Sequence, residues 1–109
     1  MTKYQLLNPK TMIDILGDDE DSIKEFRLLF IEQSTQCLPE LRELLRMQSF
    51  DKLKLKAHYL KTSARAVGAE KSALQLYKLE NSAVMHNAIE SAKIIDELFL
   101  LHDELKNII

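Results

Sequence analysis

The stretch Leu53-Lys54-Leu55-Lys56-Ala57-His58-Tyr59-Leu60-Lys61-Thr62-Ser63-Ala64-Arg65-Ala66-Val67-Gly68 decides how the whole chain reads. Leu53, Ala57, Leu60, Ala64 and Val67 recur at steps of 4, 3, 4 and 3, the spacing of a buried helical stripe. Ser49 or Asp51 is placed to cap this helix at its start, and Gly68 to stop it.

Outward from this helix the same grammar repeats. Upstream, Asn8-Pro9 forms an N-cap and first-position pair for a short helix carrying Met12, Ile13, Ile15 and Leu16, which Gly17 ends. Asp18-Asp19-Glu20-Asp21 is an acidic start suited to a helix N-terminus. From Ile23 onward Phe26, Leu29, Phe30 and Ile31 fall at helical spacing. Pro39 either kinks this helix or opens another, carrying Leu38, Leu41, Leu44 and Leu45, with Met47 as a further candidate. Downstream, a helix from Ala69 to about Met85 turns Leu76, Leu79 and Ala83 inward. Asn87 with Glu90 resembles a capping box that opens a last helix to about Asn107, with Ile94, Leu98, Leu101, Leu105 and Ile108 as its stripe.

Composition agrees. Nineteen Leu stand against two Val, with only two Gly and two Pro, which favours helix over strand. A chain of 109 residues makes one domain, residues 1–109, with a single core. The expected fold is all-α: an antiparallel up-down four-helix bundle with a short extra N-terminal helix, because short connections force sequential helices to pack antiparallel.

Several functional classes are disfavoured. The net charge of −2 argues against general nucleic-acid binding, which needs a basic face. A single Cys cannot form an intramolecular disulfide and fits a reducing, cytoplasmic location. No apolar run exceeds four residues, as at Leu98–Leu101, so neither a signal peptide nor a membrane span is expected. There is no P-loop or Gly-rich nucleotide loop for ATP, and no His-x-x-x-His or Cys pair for a metal. His86 and His102 match no pattern, and Cys37 reads as a core residue.

His58 is different. At about 100° per residue it lies about 140° from the centre of the apolar stripe, facing away from the core. Lys54, Lys61 and Arg65 fall within about 60° of it on one side; Leu55, Thr62 and Tyr59 fall within about 100° on the other. Cations beside a nucleophilic imidazole stabilise a phosphoryl group. An apolar strip beside it offers Leu55, Tyr59 and Thr62, with Lys54 at the rim, as a docking surface. The same wheel also describes the inert, solvated face of an interaction bundle.

The segment 57–69 separates these readings. His58, Leu60, Lys61, a small residue at 62, Ser63 and the Gly68-Ala69 pair resemble the signature of histidine-containing phosphotransfer (HPt) domains. The likeness continues through Leu76 and Leu79-Glu80, and upstream, more loosely, through Phe30 and the stretch 39–45. Thr62 departs from the pattern, since the family usually has Gly there, leaving room for a partner's active site to reach the imidazole.

The resemblance implies a relay in which His58 takes a phosphoryl group from the aspartate of a receiver domain and passes it to another receiver. Lys61 and Arg65 would steady the phosphoryl oxygens. The partners implied are response-regulator receiver domains or a hybrid sensor histidine kinase. The chain would need no cofactor of its own, the receiver bringing Mg²⁺. It would be a monomeric, free-standing carrier and not an ATP-dependent kinase. Lys61→Ala is predicted to slow transfer with little effect on stability.

Two rival readings fit part of this pattern. The dimerisation and phosphoacceptor domain of a sensor histidine kinase has a similar His-box, but an acidic residue normally follows the His and a Pro stands where Ser63 does. That domain is also a two-helix hairpin, against four long helices expected here. The other rival is a helical interaction bundle that is never phosphorylated.

Overall fold

The computed structural model describes residues 3–109, and among them every regular element is a helix. α1 spans Pro9–Leu16, α2 Glu20–Arg46, α3 Phe50–Val67, α4 Glu70–Val84 and α5 Ala88–Ile108. The boundaries follow local chemistry. Asn8 Oδ1 accepts from the Lys10 amide, Asp19 from the Ser22 amide and Asn87 from the Glu90 amide, each satisfying a donor left over at a helix start. Ser49 precedes α3 without a side-chain cap bond. Gly68 ends α3 in the left-handed region at φ 85°, which a residue without Cβ adopts freely.

Pro39 opens no new helix. It lies inside α2, which runs unbroken for 27 residues. A proline in mid-helix forfeits one backbone hydrogen bond, and burial of Cys37, Leu38 and Leu41 around it offsets that loss.

α2 packs on α3 and α5, α3 on α4, and α4 on α5, closing a ring, while α1 rests on α2 and α3. Arg42 meets Asp96 and Thr35 meets His102 between α2 and α5. Inside the ring Leu41, Leu53, Leu60, Leu76, Leu79, Ile95 and Leu105 are fully buried; each contributes about 1.5–3 kcal/mol by leaving water. The stripe expected on α3 is buried in full, as are Cys37 and the inward residues of α4.

Several apolar residues placed at helical spacing are not core: Ile13, Ile15, Phe26, Leu29, Met47 and Ile108 are each about half exposed. On α2 the buried line runs through Ile23, Phe30, Ser34 and Leu41; Leu29 lies about 120° round from it, on the outer side of the ring. Ile108, in the last turn of α5, borders an open cleft with Pro9, Ile13 and Ile23.

Candidate functional site

The face of α3 that carries His58 packs beside α4, and α4 supplies what the α3 sequence lacks. His58 is exposed, its side chain retaining 61% of its accessible surface, as expected from its position opposite the stripe. Its Nδ1 lies 2.8 Å from Glu80 Oε1. The other carboxylate oxygen, Oε2, lies 2.6 Å from Lys61 Nζ. That second contact is an ion pair between two buried groups.

Glu80 is itself buried. Burial pushes its carboxyl up, but hydrogen bonding and charge from Lys61 and His58 outweigh this and hold it below the usual carboxylate range. An ionised carboxylate can only accept, so the His58 proton sits on Nδ1 and donates to Glu80. In a neutral imidazole that leaves Nε2 with a free lone pair, on the opposite side of the ring from Glu80. The site therefore holds one tautomer of an exposed ring.

Lys61 is not where the helical wheel suggested. It is buried, only 7% exposed, because it lies about 80° from the centre of the apolar stripe, on the flank that α4 covers. Its stem is packed and its ammonium is committed to Glu80, with the Tyr77 ring 5.5 Å away. Its substitution therefore cannot be neutral for stability, as the exposed placement predicted. Lys54 and Arg65 are exposed and belong to the His58 side of the helix. Arg65 borders a cleft of about 380 Å³ between the N-terminal segment and the α3–α4 corner, shared with Tyr4, Thr11, Gly68 and Tyr77.

On the other side of His58, Leu55 and Tyr59 are well exposed and border a groove of about 600 Å³ between α2 and α3, lined also by Leu44, Lys52, Lys56 and Glu40. Lys56 and Glu40 pair across it. Thr62 is exposed, and its hydroxyl donates to the His58 carbonyl at 3.2 Å, a bond that turns its polar atom inward onto the helix.

The N-terminal segment is tied to this end of α3 and α4. Glu70 accepts from the Gln5 amide and from Asn8 Nδ2, and the Asn8 amide donates to the Gly68 carbonyl at 2.8 Å. These bonds hold the Glu70 carboxyl below its ordinary range.

Glu80 is the member of this cluster to which reading by helix assigned no role. Its signal was present: with Leu76, Leu79 and Ala83 it lies on the inward face of α4, and a carboxylate on an inward face requires a cationic or donor partner. Nothing in the sequence said which residue of α3 that partner would be. Among the described residues no group of three or more His, Cys, Asp or Glu is arranged to hold a metal ion, and no helix is long and apolar enough to cross a membrane.

No curated protein and no solved structure matches the chain. The family model for the Hpt domain matches residues 25–109, which takes in α3, α4, α5 and most of α2, and so includes His58, Lys61 and Glu80. By that match, and with its exposed histidine held on a helical scaffold, the chain belongs to the Hpt domain family.

Proposed function

We propose that the chain is a phosphoryl carrier in a phosphorelay, with His58 as the acceptor and donor nitrogen. The observation that carries the reading is the His58–Glu80 hydrogen bond at 2.8 Å on a ring that is otherwise open to solvent. The Nε2 lone pair attacks the phosphorus of a receiver's aspartyl phosphate in line. A P–N bond forms, the P–O bond to the aspartate breaks, and the carboxylate leaves with the electron pair. Nδ1 keeps its proton throughout, and the positive charge that develops on the ring is met by Glu80. The reverse attack, by a second receiver's aspartate, discharges the carrier.

Phosphoryl transfer depends mainly on positioning and charge neutralisation, and the parts divide accordingly. The chain supplies a pre-aligned nucleophile, and Arg65 and Lys54 supply positive charge beside it. Lys61 acts mainly through Glu80. The receiver, alone or as part of a hybrid kinase, brings the acidic pocket and Mg²⁺. Leu55, Tyr59 and Thr62 form the surface on which it docks. On this reading the chain is a carrier without kinase activity or a cofactor of its own, a cytoplasmic monomer of one domain over residues 1–109. The ring of helix contacts supports an antiparallel up-down four-helix bundle, α2 to α5, with α1 as the added helix.

The test is incubation with receiver domains phosphorylated on aspartate. Label should pass to the chain, be lost in acid and survive base, and be absent from His58→Gln. An equal gain of label by His58→Gln contradicts the assignment.

A further inference from the structure

Behind the hydrogen bond to His58 stands a chain of contacts that ends on an aromatic ring at the surface. Glu80 holds His58 with one oxygen and Lys61 with the other. The Lys61 ammonium has three N–H groups; one is directed to Glu80, and the ring of Tyr77 lies 5.5 Å away, measured to its centroid. Tyr77 precedes Glu80 by three residues on α4, so the two side chains share a face of that helix. It is 48% exposed, and its phenol makes no hydrogen bond to the described residues. What it offers is its ring face.

We propose that Tyr77 is a positioning residue for phosphoryl acceptance, acting on His58 through Lys61 and Glu80. The negative face of the ring attracts the ammonium and covers it from water on the side away from the core. With that cover in place the ammonium stays on Glu80 Oε2, and the carboxylate presents Oε1 to Nδ1 of His58. Without it, water competes for the ammonium, the carboxylate gains freedom, and the imidazole is no longer confined to the tautomer whose Nε2 is free. Tyr77 touches neither the imidazole nor the phosphoryl group; its effect is relayed. The proposal rests on His58 being the phosphoacceptor.

The test compares wild type, Tyr77→Ala and Tyr77→Phe in two measurements. The first is the rate of labelling by phosphoramidate, a small donor that needs no docking surface, beside the rate with a phosphorylated receiver. Tyr77→Ala should be about two- to fivefold slower with both donors, and Tyr77→Phe, which keeps the ring face, should stay within about twofold of wild type. The second is the ¹⁵N spectrum of the His58 ring, in which the Nδ1–H tautomer should lose population in Tyr77→Ala and be retained in Tyr77→Phe. Tyr77→Ala with the wild-type rate and tautomer overturns the proposal. So does Tyr77→Phe as slow as Tyr77→Ala, or a Tyr77→Ala defect seen with the receiver alone, which assigns the ring to docking. If wild type takes no label from either donor, the phosphoacceptor reading fails instead, and the ring spectra still decide whether Tyr77 governs the tautomer.

Discussion

One carboxylate serves two side chains of α3: Glu80 Oε1 stands 2.8 Å from His58 Nδ1, and Glu80 Oε2 stands 2.6 Å from Lys61 Nζ. The carboxylate that holds the ring is thus also half of a buried ion pair of the bundle, and stability and the proposed transfer are linked at this point. Glu80→Gln leaves the Lys61 ammonium buried with no counter-charge, a loss of about 3 kcal/mol. For a chain of this size that lowers the melting temperature by roughly 10 °C or more, and calorimetry checks it. Lys61→Ala should show a similar loss. A melting temperature unchanged in both variants contradicts the pairing.

Stability and transfer can be separated. Replacing both charges, as Lys61→Met with Glu80→Leu, removes the desolvation cost together with the attraction, and such swaps are often neutral or stabilising. The double variant should unfold near the wild-type midpoint yet transfer more slowly, because nothing fixes the His58 tautomer. A double variant that is as unstable as either single one argues against the pair as the source of their losses.

Gly68 and Gly17 make a contrast testable by the same substitution. A Cβ on Gly68 would stand 2.6 Å from the Asn8 carbonyl oxygen, at a φ of +85°, whereas one on Gly17, at φ +74°, meets nothing within 4 Å. Gly17, with ψ −152°, lies in a backbone region essentially restricted to glycine, so Gly17→Ala should cost about 1–3 kcal/mol for its backbone alone. Gly68→Ala should cost more, since the N-terminal segment must also move. Urea midpoints of the two variants decide the order.

His102 gives the bundle a sensitivity to mild acid. It is buried against α2, with Nε2 3.1 Å from Thr35 Oγ1 and no partner at Nδ1. Burial pushes its pKa down, Lys106 pushes it further, and Asp103 opposes. An unfolded histidine titrates near 6.5, so below that pH the unfolded chain takes up a proton that the folded chain refuses. Stability should fall as pH drops through about 6.5 and level off below the folded value. The carboxyl of Glu80, held low, adds a separate loss only as pH falls through the carboxylate range. His102→Leu should abolish the upper step and leave the lower one, as read from urea midpoints between pH 8 and 3.

The two faces of α2 should respond differently. Phe30 is buried and Leu29 is about half exposed, so Phe30→Ala should cost about 3–5 kcal/mol and Leu29→Gln less than about 0.5 kcal/mol. Equal losses would mean that the outer face of α2 is covered in solution.

How legible the sequence was depended on whether the deciding interaction was local. Helix ends at Asn8, Gly17, Gly68 and Asn87 could be read because a cap is made by residues a few positions apart. The exposure of His58 could be read because one helix's periodicity fixes it. Phe26 and Leu29 could not, since four apolar residues in a helical window are compatible with more than one buried line, and the packing of α2 on α3 and α5 selects among them. Pro39 left two options that only tertiary burial resolves. Lys61 stood at the edge of the stripe, where α4 decides between water and core. Glu80 was visible as a charge on an inward face, but its link to His58 spans 22 positions and no local pattern encodes it.

The central claim is that Glu80 fixes the proton on Nδ1 and so leaves Nε2 to react. It is tested most directly by NMR of the histidine-labelled chain after phosphorylation by a receiver domain, which identifies the nitrogen bonded to phosphorus. The account predicts phosphorus on Nε2 of His58, with Nδ1 still protonated. Phosphorus on Nδ1 of His58, on His86 or on His102 would contradict it.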